Sequence, residues 1–565
     1  MSTTPAARFR FCPDRRRCLG ILGLFLGLLV FGTKPAQAQD DGRFRLRVML
    51  ADKVGTPYQT SRPEAFLSEE AVARRRRFQI AVTRRDLPVS PDYLGRLRRA
   101  GYRVWMTSKW HNFAILGPGP QGDPAADLLA FDFVTAVDTV RPNLRAKRAR
   151  AALRQTDTTD LPRPAAPTWQ LEQMGLLDLH DRGYTGVGVG IGVADGGFSR
   201  IDAIPFYQDA VNESRYAGSR DFIARDGSLS EDDPHGSWVW SIIAHPEMGA
   251  APQADYLLYR TEDVSSEYPV EEMAWIAGLE WADSAGMAVV NTSLSYTTFD
   301  DSRYDHTYAE LDGRTTLASR AGVWAARRGM MLVTSAGNSA RSSWPWIGVP
   351  ADADSTFTVG AVDASGDLAA FSSRGPAADG ALKPDGMARG RNTFFYRPDI
   401  KNLQQGSGTS FSAPLIAGGL ACLRQAFPDI HPQTILQTLR ATAERASDPD
   451  TAYGYGLVRF DRAFQALQTY QDSLLDQQPE AFPLQLRYEA DGRAQLHLLA
   501  PFSQDIELRY YDPSGRTLFR SRRTLYPGET LPALVPLPAS ISPGLYILAV
   551  HTAGRMKIFK LSRAY

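Results

Sequence analysis

Between residues 187 and 441, short runs rich in valine, alanine and glycine alternate with segments of helical composition. This pattern constrains the fold more than any other feature of the chain. Strands are predicted at Val187–Asp195, Asp255–Tyr259, Ala288–Ser293, Met331–Ser335 and Phe357–Val362, and helices over 235–244, 270–285, 313–329, 410–426 and 431–441. The runs near 188–194 and 287–294 are too short to span a bilayer and are apolar on both faces, as buried parallel strands are. The prediction is an α/β domain over 167–470, with a doubly wound, mostly parallel sheet covered by helices on both sides.

The flanking regions differ in character. Residues 1–38 read as an export signal. Arg15, Arg16 and Arg17 precede an apolar run from Leu19 to Phe31, and Ala36-Gln37-Ala38 is a small-x-small cleavage pattern. Residues 41–144 read as a small α+β unit, with strands at 43–50, 102–106, 111–116 and 131–140. Two helices, 69–78 and 91–100, are placed against that sheet, the first with its arginines on the exposed side. Residues 145–166, with Arg145, Lys147, Arg148 and Arg150 ahead of a threonine- and proline-containing stretch, read as a linker and candidate maturation site. A glutamine-rich linker near 469–480 precedes a small all-β module, 482–565. Its strands are expected at Leu484–Tyr488, Ala494–Leu499, Ile506–Tyr511, Tyr546–His551 and Met556–Leu561.

The 63 basic and 62 acidic residues nearly balance, so nothing global points to nucleic acid. Of three cysteines, Cys12 and Cys18 fall in or beside the signal. Cys422 alone remains, which excludes a disulfide scaffold and reads as a small core residue.

Four segments carry chemistry. Asp195 ends an apolar strand and precedes Gly196-Gly197, where a doubly wound sheet presents its active groups; an aspartate there can equally cap a helix. His235, in Asp233-Pro234-His235-Gly236-Ser237, opens a helical run, and neutral histidine is the usual general base near neutral pH. Ser410, in Gly406-Ser407-Gly408-Thr409-Ser410-Phe411-Ser412-Ala413-Pro414, starts a long apolar helix. A nucleophile there gains from unpaired N–H groups and the positive end of the helix dipole, although a serine there can simply be a cap, and Ser412 competes for the role. Asn338, in Thr334-Ser335-Ala336-Gly337-Asn338, follows a strand in a turn and can donate an amide proton to a developing oxyanion.

The order Asp, His, Ser, with these surroundings, resembles the subtilisin-like serine protease family over 167–460. The resemblance implies that Asp195, His235 and Ser410 form a catalytic triad and that Asn338 completes the oxyanion hole. It also implies that Ser293-Leu294-Ser295, with Ala336 and Gly337, binds substrate backbone and edges the first specificity pocket. Phe371–Pro376 and Lys383-Pro384-Asp385 match further landmarks. The implied activity is serine endopeptidase, working on proteins or peptides through an acyl-enzyme and requiring no cofactor. Calcium is a candidate structural ion at the acidic loop Asp226–Asp233, which lacks a specific ligand spacing. Four departures stand out: Gly196 in place of Ser or Thr, Trp238 where many members have a second histidine, Ser295-Tyr296 for Gly-Gly, and Arg389 for a proline. Ser295-Tyr296 is expected to reshape the cleft. Gly196, Ser295 and Arg389 motivate one alternative, a catalytically weak peptide-binding relative, and Tyr296 with the loop 297–312 motivates another, a dedicated processing protease for one endogenous substrate.

The 41–144 unit resembles the propeptides of secreted Bacteroidota subtilisin-like enzymes, through Arg62-Pro63-Glu64-Ala65-Phe66-Leu67-Ser68, Asp86-Leu87-Pro88-Val89 and Ser108-Lys109-Trp110. It is therefore expected to be an intramolecular inhibitor. The last module is similar to type IX secretion sorting domains through Tyr511–Arg516, Pro543-Gly544-Leu545-Tyr546 and Lys560. That likeness implies a secretion machinery as partner and a secreted or cell-surface location.

Overall fold

The computed structural model describes residues 45–117, 119, 124–142, 168–229, 233–476, 484–488, 494–498, 503–526, 530–532, 544–552 and 555–563. The predicted signal and the 145–166 linker lie outside the described residues.

The amino-terminal unit runs β1 (Arg45–Leu50), α1 (Glu69–Arg77), α2 (Pro91–Arg99), β2 (Val104–Ser108), β3 (Phe113–Leu116), α3 (Pro124–Leu129) and β4 (Val134–Arg141). Its strands form an antiparallel sheet in the order β2-β3-β1-β4. Leu97 of α2 and Leu128 of α3 join Leu46, Val48, Ala114 and Leu116 in its core. Helix α1 does not belong to that core. Its Ala71 and Val72 form a separate cluster with Leu67, and its Arg74 and Arg75 are buried, 7% and 2% exposed. The expectation that this helix packs on the sheet with exposed arginines is therefore corrected. Long-range ion pairs described below outweigh what the helix composition alone implies.

The central domain contains α4 (Trp169–Glu172), α5 (Leu177–Asp181), β5 (Gly190–Asp195), α6 (Pro205–Asn212), β6 (Tyr216–Asp221), α7 (His235–Ala244), β7 (Asp255–Arg260), α8 (Val270–Ser284), β8 (Val289–Thr292), α9 (Leu317–Ala326), β9 (Met331–Ser335), β10 (Thr356–Val362) and β11 (Gly386–Arg389). It continues through the hairpin β12 (Thr393–Arg397) and β13 (Asn402–Gly406) to α10 (Thr409–Ala426), α11 (Pro432–Ala441) and α12 (Phe460–Asp476). Seven strands form one sheet, β11-β10-β9-β8-β5-β7-β6, and every neighbouring pair is parallel. Two apolar cores flank it. One gathers α7, α10 and α11, and the other gathers α8 and α9. The strand order reverses on either side of β5, because β7 lies on one edge of it and β8 on the other. Functional groups of doubly wound sheets gather at such a switch point. The predicted linker near 469–480 begins as helix, since α12 reaches Asp476 with Phe460, Ala463, Phe464 and Leu467 buried.

The last module has two antiparallel sheets. One is β14 (Leu484–Tyr488), β15 (Ala494–Leu498) and β18 (Thr530–Pro532). The other, in the order β17-β16-β19-β20, contains β16 (Gln504–Tyr511), β17 (Thr517–Leu525), β19 (Gly544–Thr552) and β20 (Arg555–Arg563). Among the described residues no helix is long and apolar enough to cross a membrane.

Candidate active site

Strand β5 delivers Asp195 at its carboxy-terminal end, fully buried. Its Oδ1 accepts the Gly196 N–H at 2.7 Å, so backbone supplies a donor where the family hydroxyl is missing. His235 is the first residue of α7, and its Nδ1 lies 2.8 Å from Asp195 Oδ1 and 3.0 Å from Oδ2. The helix start is fixed by Asp233 Oδ1, which accepts the His235 N–H at 2.8 Å, and by Gly197 O, which accepts the Gly236 N–H at 2.9 Å. Gly236 is required there. A Cβ on it would lie 2.3 Å from Gly197 O and 2.9 Å from Asp195 Cβ.

Ser410 is the second residue of α10 and is half-buried. Phe411, the next residue, stacks on the His235 ring at 6.0 Å between centroids, which brings the first turn of α10 beside the imidazole. No hydrogen bond joins His235 to Ser410 among the described residues; such contacts commonly tighten only when substrate binds. Pro414 has no N–H to donate to the Ser410 carbonyl four residues back. Ser293 Oγ occupies that acceptor at 3.1 Å and itself accepts from Asn291 Nδ2 at 3.0 Å. Asn291 is thus a supporting residue that the sequence reading did not assign, as is Thr409, which bonds Asn338.

Strand β9 ends at Ser335, and the chain turns through Gly337 at φ +102° to Asn338. Asn338 Oδ1 accepts from Thr409 N at 2.8 Å and Thr409 Oγ1 at 3.0 Å. With its oxygen fixed on α10, the amide nitrogen of the exposed Asn338 is turned the other way, as a free donor. Ser373 closes the turn: its N–H donates to Gly337 O, and its Oγ accepts from Ser339 N at 3.0 Å. The Phe371–Pro376 landmark therefore braces the asparagine loop. Lys383 and Asp385 form a buried ion pair at 2.8 Å, with Arg440 on the other Asp385 oxygen at 2.7 Å.

The predicted substrate-binding residues are adjacent to this centre, but several of their side chains face inward. Ser293 and Leu294 are buried, and Ala336 is fully buried with its N–H donated to Val359 O. Ser295 and Gly337 are more open, and the Ser295 hydroxyl lies beside Gly348 and Gly337. Tyr296 does not shape the cleft. It is 1% exposed, its hydroxyl donates to Glu262 Oε1 at 2.6 Å, and its backbone bridges to Val349. Arg389 stacks its guanidinium 3.2 Å over the Trp169 ring, which ties α4 to the end of β11; burial lowers its pKa to about 10. Trp238 packs on Phe395 at 5.0 Å. Cys422 is buried with its thiol pKa pushed up by burial, consistent with a core role.

Among the described residues, the carboxylates grouped for a cation are Glu262, Glu267 and Glu271, with one oxygen of each within 4.8 Å of the others. Both Glu271 oxygens already accept backbone N–H groups, from Asp263 and Tyr268, and burial together with Glu267 and Glu262 raises its pKa.

Residues 186–456, which hold Asp195, His235, Asn338 and Ser410, match the subtilase family, peptidase S8. The chain carries a subtilase domain. Ahead of it, residues 45–162 match the peptidase S8 propeptide domain of Bacteroidota. The thermostable alkaline protease of Halalkalibacterium halodurans is 28% identical over 331 residues, covering 57% of this chain and 78% of that protein. Subtilisin DY of Bacillus licheniformis is 27% identical over 293 residues, covering 50% and 93%. Among solved structures, the MycP3 protease from the type VII (ESX-3) secretion system aligns with 57% of this chain and 93% of its own, at 19% identity and a TM-score of 0.41. The subtilase domain has the subtilisin-like fold, with its seven-stranded parallel sheet between the propeptide domain and the all-β tail.

Proposed function

We propose that Asp195, His235, Ser410 and Asn338 are the working groups with which this chain, a serine endopeptidase, cuts peptide bonds. The observation that carries the assignment is the 2.8 Å pairing of a fully buried Asp195 with His235 Nδ1, beside the first turn of α10, which holds Ser410. Asp195 holds the imidazole with Nε2 available as base and stabilises its protonated form. His235 Nε2 takes the Ser410 hydroxyl proton as Oγ attacks the scissile carbonyl. The oxyanion is held by Asn338 Nδ2 and the Ser410 N–H at the positive end of α10. The C–N bond breaks as His235 returns the proton to the leaving amine, and water then hydrolyses the acyl-enzyme through the same base. In this mechanism no metal or organic cofactor takes part. Substrate is proposed to lie along the Ser293–Ser295 backbone on one side and Ala336–Gly337 on the other.

The 41–144 unit is proposed to act as an intramolecular inhibitor, with the basic linker as the site of maturation. The signal-like start and the β module support export to the medium or the cell surface, with the module engaging a secretion machinery. Intact masses of purified wild type and Ser410→Ala test the protease reading. The expected result is loss of the 39–150 region in wild type only; a folded wild type that keeps it would overturn the reading. If deleting 482–565 leaves export unchanged, the sorting role falls.

A further inference from the structure

Helix α1 is seated where two helices of the catalytic domain end. The last carbonyls of a helix lack intrahelical partners and carry the negative end of its dipole. At the end of α8, Arg74 spreads its guanidinium over these acceptors. Nη1 donates to Met287 O at 2.5 Å, and Nη2 to Asp283 O at 3.1 Å and Asp283 Oδ1 at 2.7 Å. Its Nε donates to Arg328 O at 3.0 Å, just past the end of α9. Ser68 N donates to Ser284 O at 2.8 Å. The propeptide thus caps the end of α8 through Asp283 O and Ser284 O and bonds the turns that follow α8 and α9.

The two sides also exchange buried charges. Asp283 of α8, fully buried, meets Arg75 Nη2 at 2.9 and 3.0 Å and Lys109 Nζ at 3.1 Å, besides Arg74. In return, Asp86 of the propeptide, 1% exposed, accepts from Arg328 Nε at 2.6 Å. Glu280, one turn before Asp283, accepts from Lys109 N at 2.6 Å and Trp110 N at 3.0 Å. The catalytic backbone is shaped for this contact. A Cβ on Gly286 would lie 2.5 Å from Glu70 Cβ, and one on Gly329 would lie 3.2–3.4 Å from Ile80, Phe78 and Arg74.

The place of this contact in the fold matters. The end of α8 leads into the start of β8, whereas Asp195 and the Asn338 turn follow the ends of parallel strands β5 and β9. The arginine site and the catalytic site therefore lie at opposite ends of one sheet.

We propose that the ends of α8 and α9 form a docking site for an arginine pair, occupied by Arg74 and Arg75, and that this site holds the propeptide on the enzyme after the linker is cut. Arg74 and Arg75 then set how long the cut propeptide stays in place. The inference rests on the protease reading above. Removing one member of a buried ion pair leaves the other desolvated and unpaired, which corresponds to about a 100-fold or larger loss of affinity.

The test follows activation of the full chain by three readouts: linker cleavage by intact mass, co-elution of the cut propeptide with the catalytic domain, and onset of peptide hydrolysis. Arg75→Met, which keeps the apolar stem, is expected to be cut at the wild-type rate. It should release the cut propeptide about 100-fold faster, with the lag between cut and activity shortened to match. Lys109→Met, at the edge of the cluster, is expected to give a smaller change in the same direction and decides the matter if Arg75→Met does not fold. Wild-type lag and co-elution in a folded variant would overturn the docking site while leaving the protease reading intact. Absence of any cut in wild type would overturn the protease reading, and the docking role with it.

Discussion

Gly236→Ala tests how tightly the imidazole is positioned. The added Cβ would meet Gly197 O at 2.3 Å, about 1 Å short of ordinary van der Waals contact, and Asp195 Cβ and Phe198 Cε1 at 2.9 Å. All three obstacles belong to β5 or the turn after it, and Asp195 and Phe198 are fully buried, so relief comes mainly from α7 moving outward. A shift near 1 Å would stretch the 2.8 Å contact between His235 and Asp195 beyond hydrogen-bonding range. Overpacking of this kind costs about 1–3 kcal/mol of stability, and an ångström of misplacement in a catalytic group costs about 100-fold in rate. The assay is kcat/KM on a chromogenic peptide, with thermal unfolding measured alongside. Ser237→Ala is the control: it loses only a 3.0 Å hydrogen bond to Ser199 O and introduces no wedge. A folded Gly236→Ala enzyme with kcat/KM within threefold of wild type would refute the positioning argument.

Asn338→Leu should lower kcat by about 100- to 1,000-fold with KM nearly unchanged, since its amide donor is proposed to act on the developing oxyanion. Arg389→Met should leave kcat/KM near wild type and lower stability by about 1–2 kcal/mol in a melting experiment, through loss of the stack on Trp169. His306 Nε2 lies 2.9 Å from Glu272 Oε1; burial pulls its pKa down, but the Glu272 hydrogen bond and charge, with Glu310 and Asp352 behind them, raise it above its ordinary value. Its stabilising contribution is therefore complete below about pH 6.5 and is lost as pH rises through the raised folded value. Glu272→Gln should flatten that alkaline fall in denaturant midpoints, and an unchanged pH profile would contradict it.

The parallel sheet was legible, and the candidate four-residue centre could be proposed, because each rests on local pattern. Buried strands are short continuous apolar runs, and Asp195, His235, Asn338 and Ser410 stand at strand or helix ends marked by glycine or small residues. What was not legible depends on distant partners. The arginines of α1 read as a solvated face until Asp283, more than 200 residues away, is brought beneath them. Tyr296 sits in sequence where a cleft residue is expected, yet Glu262, on the strand-end loop after β7, draws its hydroxyl into the core. Strand β17, rich in arginine, lacks strand-like composition and is held by pairing with β16, where Glu507 meets Arg520 and Arg522. Arg389 stands where the family has a proline, and the Trp169 ring that it covers is far from it in sequence.

The central claim is that Ser410 is the nucleophile, made reactive by His235 and Asp195. Labelling with a serine-directed fluorophosphonate, followed by peptide mapping of the adduct, tests it most directly. The account predicts one adduct, on Ser410, in the matured wild type. It also predicts loss of labelling in His235→Ala and loss of both labelling and hydrolysis in Ser410→Ala. Hydrolysis that survives in Ser410→Ala, or an adduct mapped to Ser412, would contradict it.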